Sequence, residues 1–160
     1  MRTYIVLALL ALLALAGCGP GEDRVREIAR EELGTGLQRS AILNANTVGP
    51  YSPAQKVGGF LFVSGQIALD PATGDLVKSD IEGETKQVLE NLMGVLRSAG
   101  YDSGNVISTT VYLQNIDDYT RMNNIYGGYF ADGNYPARVT VQVAALPRGA
   151  HVEISAIAYK

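Results

Sequence analysis

Apolar positions along the chain recur with two periods, separated by clusters of turn residues. Across residues 81–99, Ile81, Thr85, Val88, Leu92, Val95, Leu96 and Ala99 repeat at helical spacing until Gly100 stops the run. Ser79 and Glu82 stand ahead of that stripe as a capping box. A second helix is predicted after Asp117, its expected cap, with Tyr119, Met122, Tyr126, Tyr129 and Phe130 as one apolar stripe. Strand signals fill most of the rest. Residues 41–47 predict a first strand, "GGFLFVSGQIAL" a second, and residues 75–77 a short third after the turn "DPATGDL". The β-branched run "NVISTTVYLQN" predicts another.

The chain then closes with two alternating runs. Val139, Val141 and Val143 alternate with Thr140 and Gln142, and Val152, Ile154, Ala156 and Ala158 alternate with His151, Glu153 and Ser155. A Pro/Gly turn lies between them, so the two runs predict a hairpin with Arg138 at its head. The order β-β-(β)-α-β-α-β-β predicts an α+β fold, an antiparallel or mixed sheet with two helices packed on one face. The other face then needs cover, which predicts a homo-oligomer.

Composition fits one globular domain: 160 residues, 47% hydrophobic, formal net charge -3. No lysine and arginine cluster is present to neutralise phosphates, so a nucleic-acid partner is not expected. The N-terminus departs from the rest. "MRTYIVLALLALLALAGC" carries one positive charge and then a short uncharged apolar run, the layout of a secretory signal. Its end, Leu15, Ala16, Gly17 and Cys18, resembles the lipobox of bacterial lipoproteins, where cleavage precedes a cysteine that receives lipid. Residue 19 is Gly and not Asp, which resembles the pattern sorted to the outer membrane. Cys18 is the sole cysteine, so no intramolecular disulfide is possible and no Cys/His zinc cluster exists. The expected organisation is a signal peptide over residues 1–17, a lipidated, charged helical spacer over 18–38, and a globular domain over 39–160. The expected location is the bacterial cell envelope, at the outer membrane or periplasmic face.

The segments "VGPYSPA", "FVSGQIALDPATGDL", "QVLENLMGVLRSAG" and, above all, "PARVTVQVAALPRGAHVEISAIA" resemble the RidA/YjgF family of enamine/imine deaminases in order and spacing. The resemblance implies a chorismate-mutase-like subunit, a homotrimer with its sheets packed centrally, and three clefts between neighbouring subunits. It also implies hydrolysis of small 2-imino or 2-enamine acids to 2-keto acids and ammonia without metal or organic cofactor. A non-catalytic small-carboxylate binding or interaction module using the same cleft is the alternative.

Carried over by position, Arg138 is the carboxylate-binding arginine and Glu153 the glutamate that polarises water. Tyr51, Ser64 and Asn123 fall on cleft positions, and Thr140 stands where many family members have cysteine. A guanidinium suits this work because its planar donor fork matches a carboxylate. On the residues alone, Arg138 also fits a surface arginine paired to a nearby acid, and Glu153 an exposed strand carboxylate. Tyr51, Ser64 and Asn123 also fit turn or core architecture. In the expected hairpin, Glu153 stands opposite Thr140 with Arg138 as its diagonal neighbour, about 7–8 Å away. His151, the only histidine, is read as a solvated residue at the hairpin's end on the Glu153 side.

Overall fold

The computed structural model describes residues 39–42, 47, 49–130 and 133–160. The expected signal peptide, Cys18 and the expected spacer lie outside them. Among the described residues six strands form one mixed sheet: β1 (Arg39–Ile42), β2 (Ala54–Val57), β3 (Phe60–Gln66), β4 (Val106–Leu113), β5 (Ala137–Gln142) and β6 (Val152–Tyr159). Helix α1 (Ile81–Ser98) precedes β4, and the short helix α2 (Tyr119–Tyr126) links β4 to β5. The spatial order is β1-β2-β3-β6-β4-β5, with β4 and β5 parallel and every other pairing antiparallel.

Alternation places Leu61 and Val63 of β3, Val111 and Leu113 of β4, and Val152, Ile154, Ala156 and Ala158 of β6 on one buried face. Against them pack Val88, Leu89, Leu92 and Leu96 of α1 and Met122 and Tyr126 of α2, which together with the strand residues make the core. Helix α1 follows its predicted stripe and ends, as expected, before Gly100 at φ 81°. Its cap differs: Asp80, not Ser79, accepts the hydrogen bond from the Gly83 amide. Asp117 does not cap α2; Asp118 holds the N-cap position without a side-chain bond, after a 3-10 turn at Ile116–Asp118.

Three strand expectations are corrected. The first strand begins earlier, at Arg39, and β2 is an additional strand hidden behind the prolines of "GPYSP". Residues 75–77 form no strand; only Leu76 makes an isolated bridge, to Leu69. The closing runs are strands but not a hairpin. Both pair with β4, β5 in parallel on one side and β6 antiparallel on the other. The nine-residue connection between β5 and β6 is tied at both ends to the end of β4, through Val143 N to Leu113 O and Gln114 N to His151 O, each 2.9 Å. Alternation reports which residues share a face and carries no information about which strand lies alongside.

His151 is exposed, as expected, yet it is also tied to the helix layer. Its main-chain N–H donates to Glu84 Oε2 at 2.8 Å, and its Nδ1 lies 2.8 Å from Glu84 Oε1. Glu84 is 1% exposed, so a buried carboxylate in the first turn of α1 anchors the start of β6. The helix N-terminus favours that charge. Glu84→Ala removes both bonds and leaves a void, and is expected to cost about 2–3 kcal/mol in urea unfolding. An unchanged midpoint and slope would refute the anchoring role.

The sheet face away from the helices has no covering layer among the described residues. Phe60, Phe62 and Tyr159 are exposed there and make ring contacts, with Phe60 and Tyr159 centroids 4.8 Å apart. Val139 and Val141 of β5 continue the same face, with Val139 56% exposed. The apolar face of β5 thus points away from the chain's own core.

Candidate functional site

Arg138 lies on β5 opposite Thr109 of β4, a residue 1% exposed on the helix side of the sheet. Its guanidinium carbon sits 4.5 Å from the ring centroid of Tyr126 and 5.7 Å from that of Tyr119, both on α2. Nη2 donates to the Tyr119 hydroxyl at 3.3 Å. The Tyr126 hydroxyl is paired with Thr109 Oγ1 at 2.7 Å, and burial pushes its pKa upward. Among the described residues no carboxylate forms an ion pair with Arg138.

Asn123 and Thr140 belong to the same side. Asn123 is one turn along α2 from Tyr119, and Thr140 shares the face of β5 with Arg138. Asn123 Oδ1 and Thr140 Oγ1 are buried and have no hydrogen-bond partner among the described residues. Buried polar atoms are normally satisfied. A half-buried cation walled by two aromatic rings, beside two polar atoms with unmet capacity, is suited to hold a small polar anion.

Glu153 occupies the opposite side. It pairs across β6 and β4 with Tyr112, while its neighbours Val152 and Ile154 point into the core. On its other flank the β3–β6 register shifts between Val63 and Gln66, and this irregularity brings Gly65 against the Glu153 carboxylate. A Cβ at Gly65 would fall on Glu153 Oε1 and within 2.7 Å of its Cδ, so the present place of the carboxylate depends on the missing side chain at Gly65. Partial burial raises the Glu153 pKa above the ordinary glutamate value.

Ser64 precedes Gly65 and points its chemistry into the chain. Its hydroxyl donates to the Ser52 carbonyl at 2.8 Å, and its amide to Pro53 O at 2.9 Å. Gln55 Nε2 donates to Ser52 Oγ at 3.0 Å. These bonds pin the loop carrying Tyr51, whose side chain is 45% exposed.

The expected diagonal pairing of Arg138 with Glu153 is therefore corrected. Strand β4 lies between their strands, and the two side chains project from opposite faces of the sheet. One chain carries two half-sites: Arg138, Asn123 and Thr140 on the helix side, Glu153 with the Ser64–Gly65 corner on the other. Sequence reasoning missed Tyr119 and Tyr126 as the walls of the arginine, because a tyrosine in a helical stripe reads as core. The spacing of Tyr119, Asn123 and Tyr126 on one helix face was the available signal.

Comparison with known proteins bears on the same region. The family described as Endoribonuclease L-PSP matches residues 42–160. A RutC family protein of Pyrococcus horikoshii is 51% identical over 113 residues, 71% of this chain and 89% of that protein. A mouse protein named 2-iminobutanoate/2-iminopropanoate deaminase is 50% identical over 111 residues, 69% of this chain and 82% of its own length. A solved Rid-family structure from Yersinia pestis superposes with a TM-score of 0.74 at 46% identity, covering 77% of this chain and 100% of that one.

Proposed function

The chain belongs to the endoribonuclease L-PSP family, that of RidA and YjgF, and from this we propose that it hydrolyses reactive 2-enamine and 2-imino acids to 2-keto acids and ammonia. The observation that carries the reading is the Arg138 guanidinium, which among the described residues has no acid partner and sits beside two unsatisfied polar atoms. The deaminase name of the mouse relative supports the same substrate class.

The working unit we propose is a homotrimer. The bare sheet face with Phe60, Phe62, Val139 and Val141 supplies an apolar surface for assembly. Assembly also answers the separation of the half-sites, since a cleft between subunits can combine Arg138 of one copy with Glu153 of the next. In that cleft Arg138 binds the substrate carboxylate and fixes the imine carbon. Water adds to the C=N carbon while Glu153 takes its proton. Glu153 returns the proton to nitrogen to give the carbinolamine, then takes the proton of its new hydroxyl and delivers it to the amine, so that the C–N bond breaks, ammonia leaves and the keto group forms.

We place this activity at the cell envelope on the strength of Leu15, Ala16, Gly17 and Cys18; a Cys18→Ala chain is then expected in the soluble fraction. The catalytic reading is tested by generating 2-imino acids with an amino-acid oxidase in the presence of semicarbazide. The purified protein is expected to lower semicarbazone formation across several side chains. No effect with the trimer intact would leave the cleft as a binding site without chemistry.

A further inference from the structure

Among the residues around Arg138, Tyr119 has the least obvious structural duty. It opens α2, is 40% exposed, and spends its hydroxyl on the arginine and not on the core. Its placement is built in. Gln142 at the end of β5 accepts a hydrogen bond from the Ile116 amide through Oε1 at 3.1 Å, and Asn115 Oδ1 accepts from the Asp117 amide at 3.1 Å. The first bond ties the turn before α2 to the same strand that carries Arg138, and the second closes that turn. The phenol therefore reaches Arg138 because the α2 entry and β5 are tied together at a second point.

We infer that Tyr119 is a positioning residue for the proposed reaction: its hydroxyl holds one Nη2 of Arg138 against α2 and so keeps the rest of the guanidinium fork free for the substrate carboxylate. The inference rests on the reading of Arg138 as the carboxylate anchor. A guanidinium has five N–H donors in a fixed plane, and Tyr119 takes one of them. The Tyr126 ring below sets the plane and the Tyr119 hydroxyl sets rotation within it, so little freedom remains to be lost on binding.

The same contact makes the anchor sensitive to alkali. A neutral phenol is a weak acceptor for Arg138, but a phenolate is a full anion and competes with the substrate carboxylate for the guanidinium. The groups acting on the Tyr119 hydroxyl are Arg138 from β5 and Asn123 from its own helix. Asp118, next in the chain, is engaged by Arg121 at 3.5 Å. The Asn123 hydrogen bond, followed by the charge and hydrogen bond of Arg138, lowers the phenol's pKa below its usual value. Affinity for a carboxylate should accordingly fall as pH rises through that lowered pKa, and the fall should require the hydroxyl.

The test is calorimetric binding of 2-oxobutanoate, a stable carboxylate probe, to the full chain, Tyr119→Phe and Arg138→Ala. Measurements run from about pH 7.5 to about pH 10, the range that brackets a lowered tyrosine pKa. Tyr119→Phe keeps the ring and removes only the hydroxyl. It is expected to bind roughly fivefold more weakly than the parent at the lower pH, the size of one hydrogen bond. The parent is expected to lose affinity at the alkaline end, and Tyr119→Phe to lack that alkaline loss. Coincident affinities and pH profiles for the parent and Tyr119→Phe, with Arg138→Ala not binding, would overturn the inference alone. No binding by the parent at any pH would overturn the carboxylate site and the inference with it.

Discussion

Arg138→Ala is expected to lower kcat/KM for 2-imino acid hydrolysis by about a hundredfold to a thousandfold, roughly 3–4 kcal/mol, because a charged two-point contact to the substrate is lost. The loss should appear with folding intact, since the side chain lies on the edge strand β5 and rests on the Tyr126 ring, whose hydroxyl keeps its own bond to Thr109. Arg138→Lys should recover little, as an ammonium cannot reproduce the planar fork held by Tyr119 and Tyr126. A decisive extension uses the separation of the half-sites. Arg138→Ala and Glu153→Gln chains, each inactive, are unfolded, mixed in equal amounts and refolded together. If each cleft draws Arg138 and Glu153 from neighbouring copies, about a quarter of the clefts in random mixed trimers are intact, and activity returns to that extent. Activity no greater than that of the separate variants would place both residues of a working site in one chain, against the register of β4, β5 and β6.

The second large effect comes from a residue that touches no substrate in the proposed mechanism. Gly65→Ala puts a methyl group where the Glu153 carboxylate now stands. The glutamate must swing away, and a displacement of about 1 Å at a catalytic group costs on the order of a hundredfold in rate. Glu153→Gln removes the base of the proposed mechanism and is expected to cost at least about a hundredfold. Gly65→Ala with full activity would show that the glutamate's position is unimportant, and would remove it from the mechanism. Both variants are read in the semicarbazide competition assay.

The pH dependence of the reaction follows from the same environment. Burial raises the Glu153 pKa, and only its carboxylate accepts a proton from water. Activity should therefore fall as pH drops through the raised value. For stability the sign is opposite. A folded pKa above the unfolded one means that the protonated form favours folding; that contribution is complete below the ordinary glutamate pKa and is lost as pH rises through the raised one. Glu153→Gln, permanently neutral, should melt higher than the parent at neutral pH, and the difference should vanish in acid. A lower melting temperature for Glu153→Gln at neutral pH would show that the carboxylate is held by favourable contacts and not merely by its function.

How legible these features were in the sequence depended on the range of the interactions that create them. Helix α1 could be read closely, since its stripe and the stop at Gly100 are local. Its cap was off by one residue, because Ser79 and Asp80 both offer a capping oxygen and only backbone geometry selects between them. The buried residues of β6 also followed from alternation. Val139 and Val141 of β5 have the same alternation, yet they face away from the chain's own core. An apolar face seeks burial without specifying whether its own chain or another copy provides it.

By itself, then, the sequence determined both helices, the strands β3 to β6, the α+β class, the family and the residues Arg138 and Glu153 as chemically notable. Each of these depends on periodicity or on a contiguous motif. Tertiary structure alone decided that β4 separates the last two strands, that Glu84 captures His151, that Gly65 makes room for Glu153, and that Tyr119 meets Arg138. Those facts rest on contacts between residues far apart in the chain, where spacing along the sequence places no constraint on distance in space.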